Sequence, residues 1–259
     1  MHSGAEFTQI SELSGEPISD EQLARLHERY TWAAGYCRDA DVLEVACGSG
    51  PGLGHLAGVA RSLVAGDLAD PILGLARRHY GDRIDLRRLD AENLPFTAAS
   101  YDVVILFEAL YLLPRPERFL AEAKRVLRSG GWLLIVSANK DLPGFQPCLY
   151  SHVYFGVVEL DRRLRELDFA PAFFGGTALP DTPWRQRLLR PLHPLAAALG
   201  VMPQTMRNKR LLRRVVFGRL RPMPAEIVAG EVLCRAPTPI RCDRPDHQHK
   251  VIFCAALRS

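Results

Sequence analysis

Residues 42–54 read VLEVACGSGPGLG, an apolar run carrying Glu44 that breaks into a turn built on Gly48, Gly50 and Gly52. Glycines let a backbone come close to a ligand and adopt positive φ. The N-terminus of a following helix adds unpaired N–H groups. Two more acids recur at even spacing, Asp67 in SLVAGD and Asp90 in RIDLRRLD. Each stands where an apolar run stops, so the set suits a ligand held at the ends of adjacent strands. Asp67 fits a ribose diol, Asp90 is an acceptor for an adenine amino group, and the Ala91 amide can donate to a ring nitrogen.

Dinucleotides and S-adenosylmethionine both use such a turn. The dinucleotide fingerprint G-x-G-x-x-G fails, because Leu53 stands where the third glycine belongs. A carboxylate at Glu44 would repel a pyrophosphate but attract, directly or through water, the ammonium of a methionine moiety. That contrast favours S-adenosylmethionine.

The elements that would place these residues alternate along the chain. A capping box, Ser19 with Gln22, opens a helix over 20–37. Strands follow at 41–46, 62–67, 83–90, 102–109 and 132–138. Helices stand between them at 51–60, 70–80 and 116–131, the last stopped by Gly130 and Gly131. A further helix (157–169), a strand (171–176) and a final strand (250–257) complete the pattern. Strands separated by helix-length segments give a doubly wound α/β sheet covered on both faces. About seventy residues, 177–249, lie between the last two strands, too long for an ordinary connection.

VLEVACGSG (42–50), VAGDLADPIL (64–73), RRLDAENLPF (87–96) and the segment 100–135 resemble the class I S-adenosylmethionine-dependent methyltransferases, closest to the bacterial small-molecule branch. The resemblance covers about residues 25–175, and KVIFCAAL is similar to that family's closing antiparallel strand. It implies a seven-stranded Rossmann-like sheet with S-adenosylmethionine as cofactor. By it, Glu44, Ala46 and Gly48 line the methionine end, Gly50 belongs to the turn, and Asp67 holds the ribose hydroxyls. Leu68 packs on adenine, Asp90 and Ala91 bind its edge, and Phe107 and Glu108 face the sulfonium. Tyr30 and Trp32 would cover the cofactor. Ala46 departs from the family, which usually has glycine there; alanine is small and is expected to be tolerated. The implied domains are an N-terminal helical cap (1–40), the core (41–176), an inserted lid (177–249) and a closing strand (250–259).

Methyl transfer from a sulfonium is an in-line displacement, which is mainly an alignment problem. A hydroxyl acceptor also calls for a general base. Candidates are His152, His193, Tyr111 and Glu108, with His152 preferred because it follows the fifth strand on the acceptor side. The expected reaction is methylation of a small-molecule oxygen. Alternatives are a protein of this fold that binds the cofactor without transferring methyl, and an NAD(P)-dependent oxidoreductase. The second is disfavoured by the failed fingerprint and by the lack of a Tyr-x-x-x-Lys pair.

The net charge of +4 is unevenly spread: from Trp184 to Pro224 the chain holds arginines and lysines but no acid. That run suits a solvated face on a lid helix or an anionic, sugar-like acceptor. Membrane-surface contact is a lesser alternative, and nucleic acid lesser still, since no aromatics interleave with the basic residues. The chain has 259 residues and is 47% hydrophobic. It shows neither a signal-peptide core at MHSGAEFTQI nor the roughly 20-residue apolar run of a membrane span, so a cytoplasmic protein is expected. The scattered cysteines read as reduced core thiols. Cys234, Cys242, His247, His249 and Cys254 fit no paired zinc-ligand spacing, so no metal is expected.

Overall fold

The computed structural model describes residues 13–148, 150–178, 220–228, 230, 232 and 235–259. His193, Cys234 and most of the acid-free run lie outside the described residues.

Among the described residues, ten strands and five α-helices follow one another. The strands are β1 (Pro17–Ser19), β2 (Asp41–Val45), β3 (Ser62–Asp67), β4 (Asp85–Arg88), β5 (Tyr101–Phe107), β6 (Leu127–Ala138), β7 (Phe169–Ala178), β8 (Leu220–Pro222), β9 (Thr238–Pro239) and β10 (His249–Arg258). The helices are α1 (Asp20–Cys37), α2 (Leu53–Ala57), α3 (Asp70–Tyr80), α4 (Pro116–Val126) and α5 (Val157–Glu166). The capping box at Ser19 is formed: its Oγ accepts from the Gln22 amide, and the Gln22 side chain accepts from the Ser19 amide.

The main sheet runs β4-β3-β2-β5-β6-β10-β7-β9. Strands β4, β3, β2, β5 and β6 are mutually parallel, while β10 runs antiparallel between β6 and β7. The seven expected strands are all present, and the two-residue β9 extends the edge to eight. Chain order reverses between β2 and β5, so the crevice beyond their carboxyl ends is the expected ligand position in such a sheet.

Both faces are covered, which is why the central strands read as continuous apolar runs rather than alternating ones. On one face α1 and α2 bury Leu23, Leu26, Tyr30, Ala33 and Leu56 against Val42, Ile105, Val136 and Phe253. On the other, α4 and α5 bury Phe119, Leu120, Leu160 and Leu164 against Leu43, Val104, Ile135 and Cys254. A third cluster packs Leu73, Ala76 and Tyr80 of α3 with Leu53 and Ala65. Phe119 is fully buried, and a side chain of that size contributes about 3 kcal/mol by leaving water.

Several boundaries differ from expectation by two or three residues, and two helices differ by more. Helix α4 ends at Val126 rather than at the glycines, and Gly130 and Gly131 lie inside the long β6. The β5–β6 ladder shifts register between Tyr101 and Val103, a bulge that accommodates the extra residues. Helix α2 is five residues long rather than ten, as Gly54 and Gly58 are poor helix formers.

Parts of the stretch expected to form a lid return to the core. β8 pairs with β1, β9 pairs with β7, and the Asn139 side-chain amide donates to the carbonyls of Asp246 and His249.

Candidate functional site

Strand β2 delivers the chain into the glycine turn, where three residues take left-handed backbone: Ala46 (φ 57°), Gly48 (φ 61°) and Gly50 (φ 72°). At Gly50 a Cβ would also come within 2.7 Å of Leu53 Cδ1. At Gly52 a Cβ would overlap the Tyr30 ring, so the turn lies flush on that tyrosine. Ala46 fits by size, but its cost is conformational: a left-handed residue with a Cβ is strained by about 1–2 kcal/mol.

Glu44 is 1% exposed. Its Oε1 accepts a 2.6 Å hydrogen bond from the Tyr30 hydroxyl, while its Oε2 is buried with no hydrogen-bond partner. Burial pushes the carboxyl up to about 7, against the opposing hydrogen bond from Tyr30 and the positive charge of Arg29. Burial, with Glu44 second, also raises the Tyr30 phenol well above its usual value. Tyr30 therefore keeps its proton and acts as a donor. Its ring stands edge-on to Phe107 at 5.5 Å, joining the turn to the end of β5.

Asp67, ending β3, accepts from the Gly48 amide at 2.9 Å and from the Ala69 amide at 2.9 Å. Burial raises its carboxyl, and those two amides with that of Leu68 oppose the rise. A carboxylate has about four lone-pair sites, so acceptor capacity remains. The next residue, Leu68, is 44% exposed, an open apolar surface beside that carboxylate. Asp90 is exposed; its Oδ1 accepts from the Glu92 amide at 2.9 Å in a tight turn. Ala91 beside it is buried. The Leu89 amide donates to the Asp67 carbonyl, tying this turn to β3. The acids at 44, 67 and 90 thus lie at or just beyond the carboxyl ends of three neighbouring strands, β2, β3 and β4.

After β5, Glu108 takes φ 50° while its amide donates to the Val136 carbonyl. A non-glycine residue held left-handed at a strand end is strained backbone of the kind that collects at functional sites. The Tyr111 hydroxyl donates to Glu108 Oε2 at 3.4 Å, and its ring stacks on Tyr154 at 4.4 Å. Burial, with Glu108 second, lifts the Tyr111 phenol well above its usual value, so it keeps its proton and donates a hydrogen bond. The His152 amide donates to the Tyr111 carbonyl at 2.8 Å, which brings the exposed His152 to the same turn. Trp32 packs at 5.1 Å on Phe253 and at 6.2 Å on Phe174, and its ring lies 6.5 Å from that of Phe107.

Several contributors gave no local signal. Tyr80, buried at the end of α3, donates to the Gly50 carbonyl at 2.7 Å and accepts from the Gly54 amide at 3.2 Å. Arg29 places its guanidinium 5.8 Å over the Tyr30 ring, and its charge acts on both Glu44 and Tyr111. Ser49 takes hydrogen bonds from Ser14, and the Ile227 amide donates to the Pro51 carbonyl. Only a helical pattern marked Tyr80 and Arg29 in the sequence.

Among the described residues, no group of three His, Cys, Asp or Glu side chains is placed to hold a metal. His249 is engaged by Asp246 and Thr238, His247 by the Asp141 carbonyl, and Cys254 is buried in β10. No helix among those residues is long and apolar enough to cross a membrane.

Known proteins resemble this chain in sequence and in fold. Residues 43–135 match a family model described as a methyltransferase domain. A phthiotriol/phenolphthiotriol dimycocerosates methyltransferase of Mycobacterium ulcerans is 47% identical over 96 residues, 36% of this chain and 35% of the relative. A "Probable S-adenosylmethionine-dependent methyltransferase" of Mycolicibacterium smegmatis is 37% identical over 117 residues, 45% of each chain. The chain therefore spans between a third and a half of these relatives. A SAM-dependent methyltransferase structure from Thermotoga maritima superposes with a TM-score of 0.57 at 14% identity, covering 92% of this chain and 94% of that one, which is a likeness of fold.

Proposed function

We propose that this chain, a member of the class I S-adenosylmethionine-dependent methyltransferase family, transfers a methyl group from that cofactor to a small-molecule acceptor. Oxygen is the receiving atom in this reading. The observation that carries it is Glu44, a carboxyl buried beside the glycine turn with one oxygen bonded and the other left without a partner. An unsatisfied buried carboxylate oxygen is costly, and a ligand ammonium removes the cost.

The other residues fit the same cofactor. Arg29 supplies a cation for its carboxylate end, Asp67 has lone pairs for the ribose diol, and Leu68 offers an open apolar face for the adenine. Asp90 and the Ala91 amide suit the adenine edge, with Ala46, Gly48 and Gly50 giving close backbone approach. When bound, the cofactor supplies an electrophilic methyl group on a sulfonium. The chain's own part is alignment, worth roughly 7–11 kcal/mol in well-oriented systems. Phe107 and the strained Glu108 form the floor where β5 ends. Tyr111 donates to Glu108 and so fixes that carboxylate, leaving Glu108 and His152 as proton acceptors for a hydroxyl substrate.

The relatives named for phthiotriol and phenolphthiotriol dimycocerosates support a hydroxyl-bearing acceptor, and the acid-free sequence 184–224 supports an anionic or sugar-like one. In this reading 1–40 caps the core and 177–249 supplies the acceptor-binding insertion. Calorimetric titration with S-adenosylmethionine, S-adenosylhomocysteine and NADH tests it, with Asp67→Ala alongside. Micromolar binding of both sulfur cofactors, weakened at least tenfold in the variant, is expected. Binding of NADH instead overturns the reading.

A further inference from the structure

Two segments far apart in sequence meet over the glycine turn. β1 and β8 form a two-stranded antiparallel sheet, with Ile18 opposite Arg221. The pairing extends through Gly15 N to Met223 O and Met223 N to Glu16 O, both 2.8 Å. From this ribbon the chain reaches the turn at three points. Ser14 donates to Ser49 Oγ from its amide at 3.3 Å and its hydroxyl at 3.1 Å. The Ile227 amide donates to the Pro51 carbonyl at 2.7 Å. Glu226 lies flush on Gly54, where any Cβ would overlap its carboxylate.

Met223 and Ile227 are buried in the same core cluster as Leu56 of α2. Glu226 then closes the strap onto α3: its Oε2 lies 2.7 Å from His79 Nε2 and accepts from Arg83 at 3.0 Å. The turn needs such support. Its left-handed Ala46 is costly, and a five-residue helix is far too short to hold itself. Tyr80 grips the turn from the α3 side at Gly50 and Gly54, and the strap grips it from the other.

We propose that residues 13–19 and 220–228 form a positioning strap that holds the glycine turn in its ligand-binding shape, with Glu226 as its latch. The inference rests on the cofactor reading above for its ligand, though not for its mechanics. Glu226 touches no reacting group; it acts through Gly54 directly, and through its neighbour Ile227 on Pro51, on the backbone that approaches the cofactor.

The test compares wild type with Glu226→Ala and Glu226→Gln. Amide hydrogen exchange across residues 49–56, followed by mass spectrometry without ligand, reads the turn directly. Calorimetry with S-adenosylhomocysteine reads its consequence. In Glu226→Ala, exchange is expected to rise at least fivefold and affinity to fall about fivefold, the scale of losing a partly exposed ion pair. Glu226→Gln keeps an acceptor for Arg83 and is expected to restore affinity to within about twofold. Circular dichroism checks that both variants fold, and Arg83→Ala, expected to match Glu226→Ala, replaces it otherwise. Unchanged exchange in a folded Ala variant overturns the proposal, as does faster exchange with unchanged affinity. A wild type that binds no S-adenosylhomocysteine removes the cofactor reading instead, and the exchange comparison still decides the latch.

Discussion

Glu44→Gln tests the buried carboxyl at the centre of the site. In the folded chain this group is pushed from 4.5 to about 7 by burial, so folding favours its neutral form. Between those values the native state holds a proton that the unfolded state has released, and stability falls as pH rises through that window. At about 1.4 kcal/mol per decade, the displacement costs about 3 kcal/mol at pH 8 and little at pH 5. Glutamine keeps an acceptor for Tyr30 and carries no charge, so the variant escapes the cost. Urea unfolding at pH 5 and pH 8 without cofactor measures the difference. Variant and wild type are expected to agree within about 1 kcal/mol at pH 5, with the variant about 3 kcal/mol more stable at pH 8. Saturating S-adenosylhomocysteine should then stabilise the wild type more than the variant at pH 8. An equal stability difference at both pH values would refute the reasoning.

Ala46→Gly relieves a residue held at φ 57°; after glycine's entropy cost it should stabilise by about 0.5–1 kcal/mol in urea unfolding. Gly52→Ala drives a methyl into the Tyr30 ring; a loss of about 1–3 kcal/mol is expected, with weakened cofactor binding by calorimetry. Tyr80→Phe leaves the Gly50 carbonyl and Gly54 amide without their partner; about 1–3 kcal/mol is expected to go, seen as a lower urea midpoint.

Some of this was local and some was not. The strands at 62–67 and the helix at 70–80 were legible to the residue, because apolar runs, Pro71 and the α3 periodicity are near-neighbour signals. The acids at 44, 67 and 90 could be placed at strand ends for the same reason. The end of α4 could not, because the bulge against β5 that draws Gly130 and Gly131 into β6 is a pairing between strands, not a property of either.

The sequence by itself determined the alternation of elements, the glycine turn and the residue types proposed to face a cofactor. Hydrophobic period and turn chemistry act over a few residues. Only the tertiary structure decided how that turn is held: Tyr30 beneath it, Tyr80 on one side, and Ser14 with Ile227 on the other. Those contacts join residues up to 176 positions apart, Ile227 to Pro51. Nothing in either partner's neighbourhood marks it, because the shape of the folded sheet brings them together. The charge state of Glu44 belongs with them, since burial, which no single segment encodes, pushes its carboxyl up to about 7.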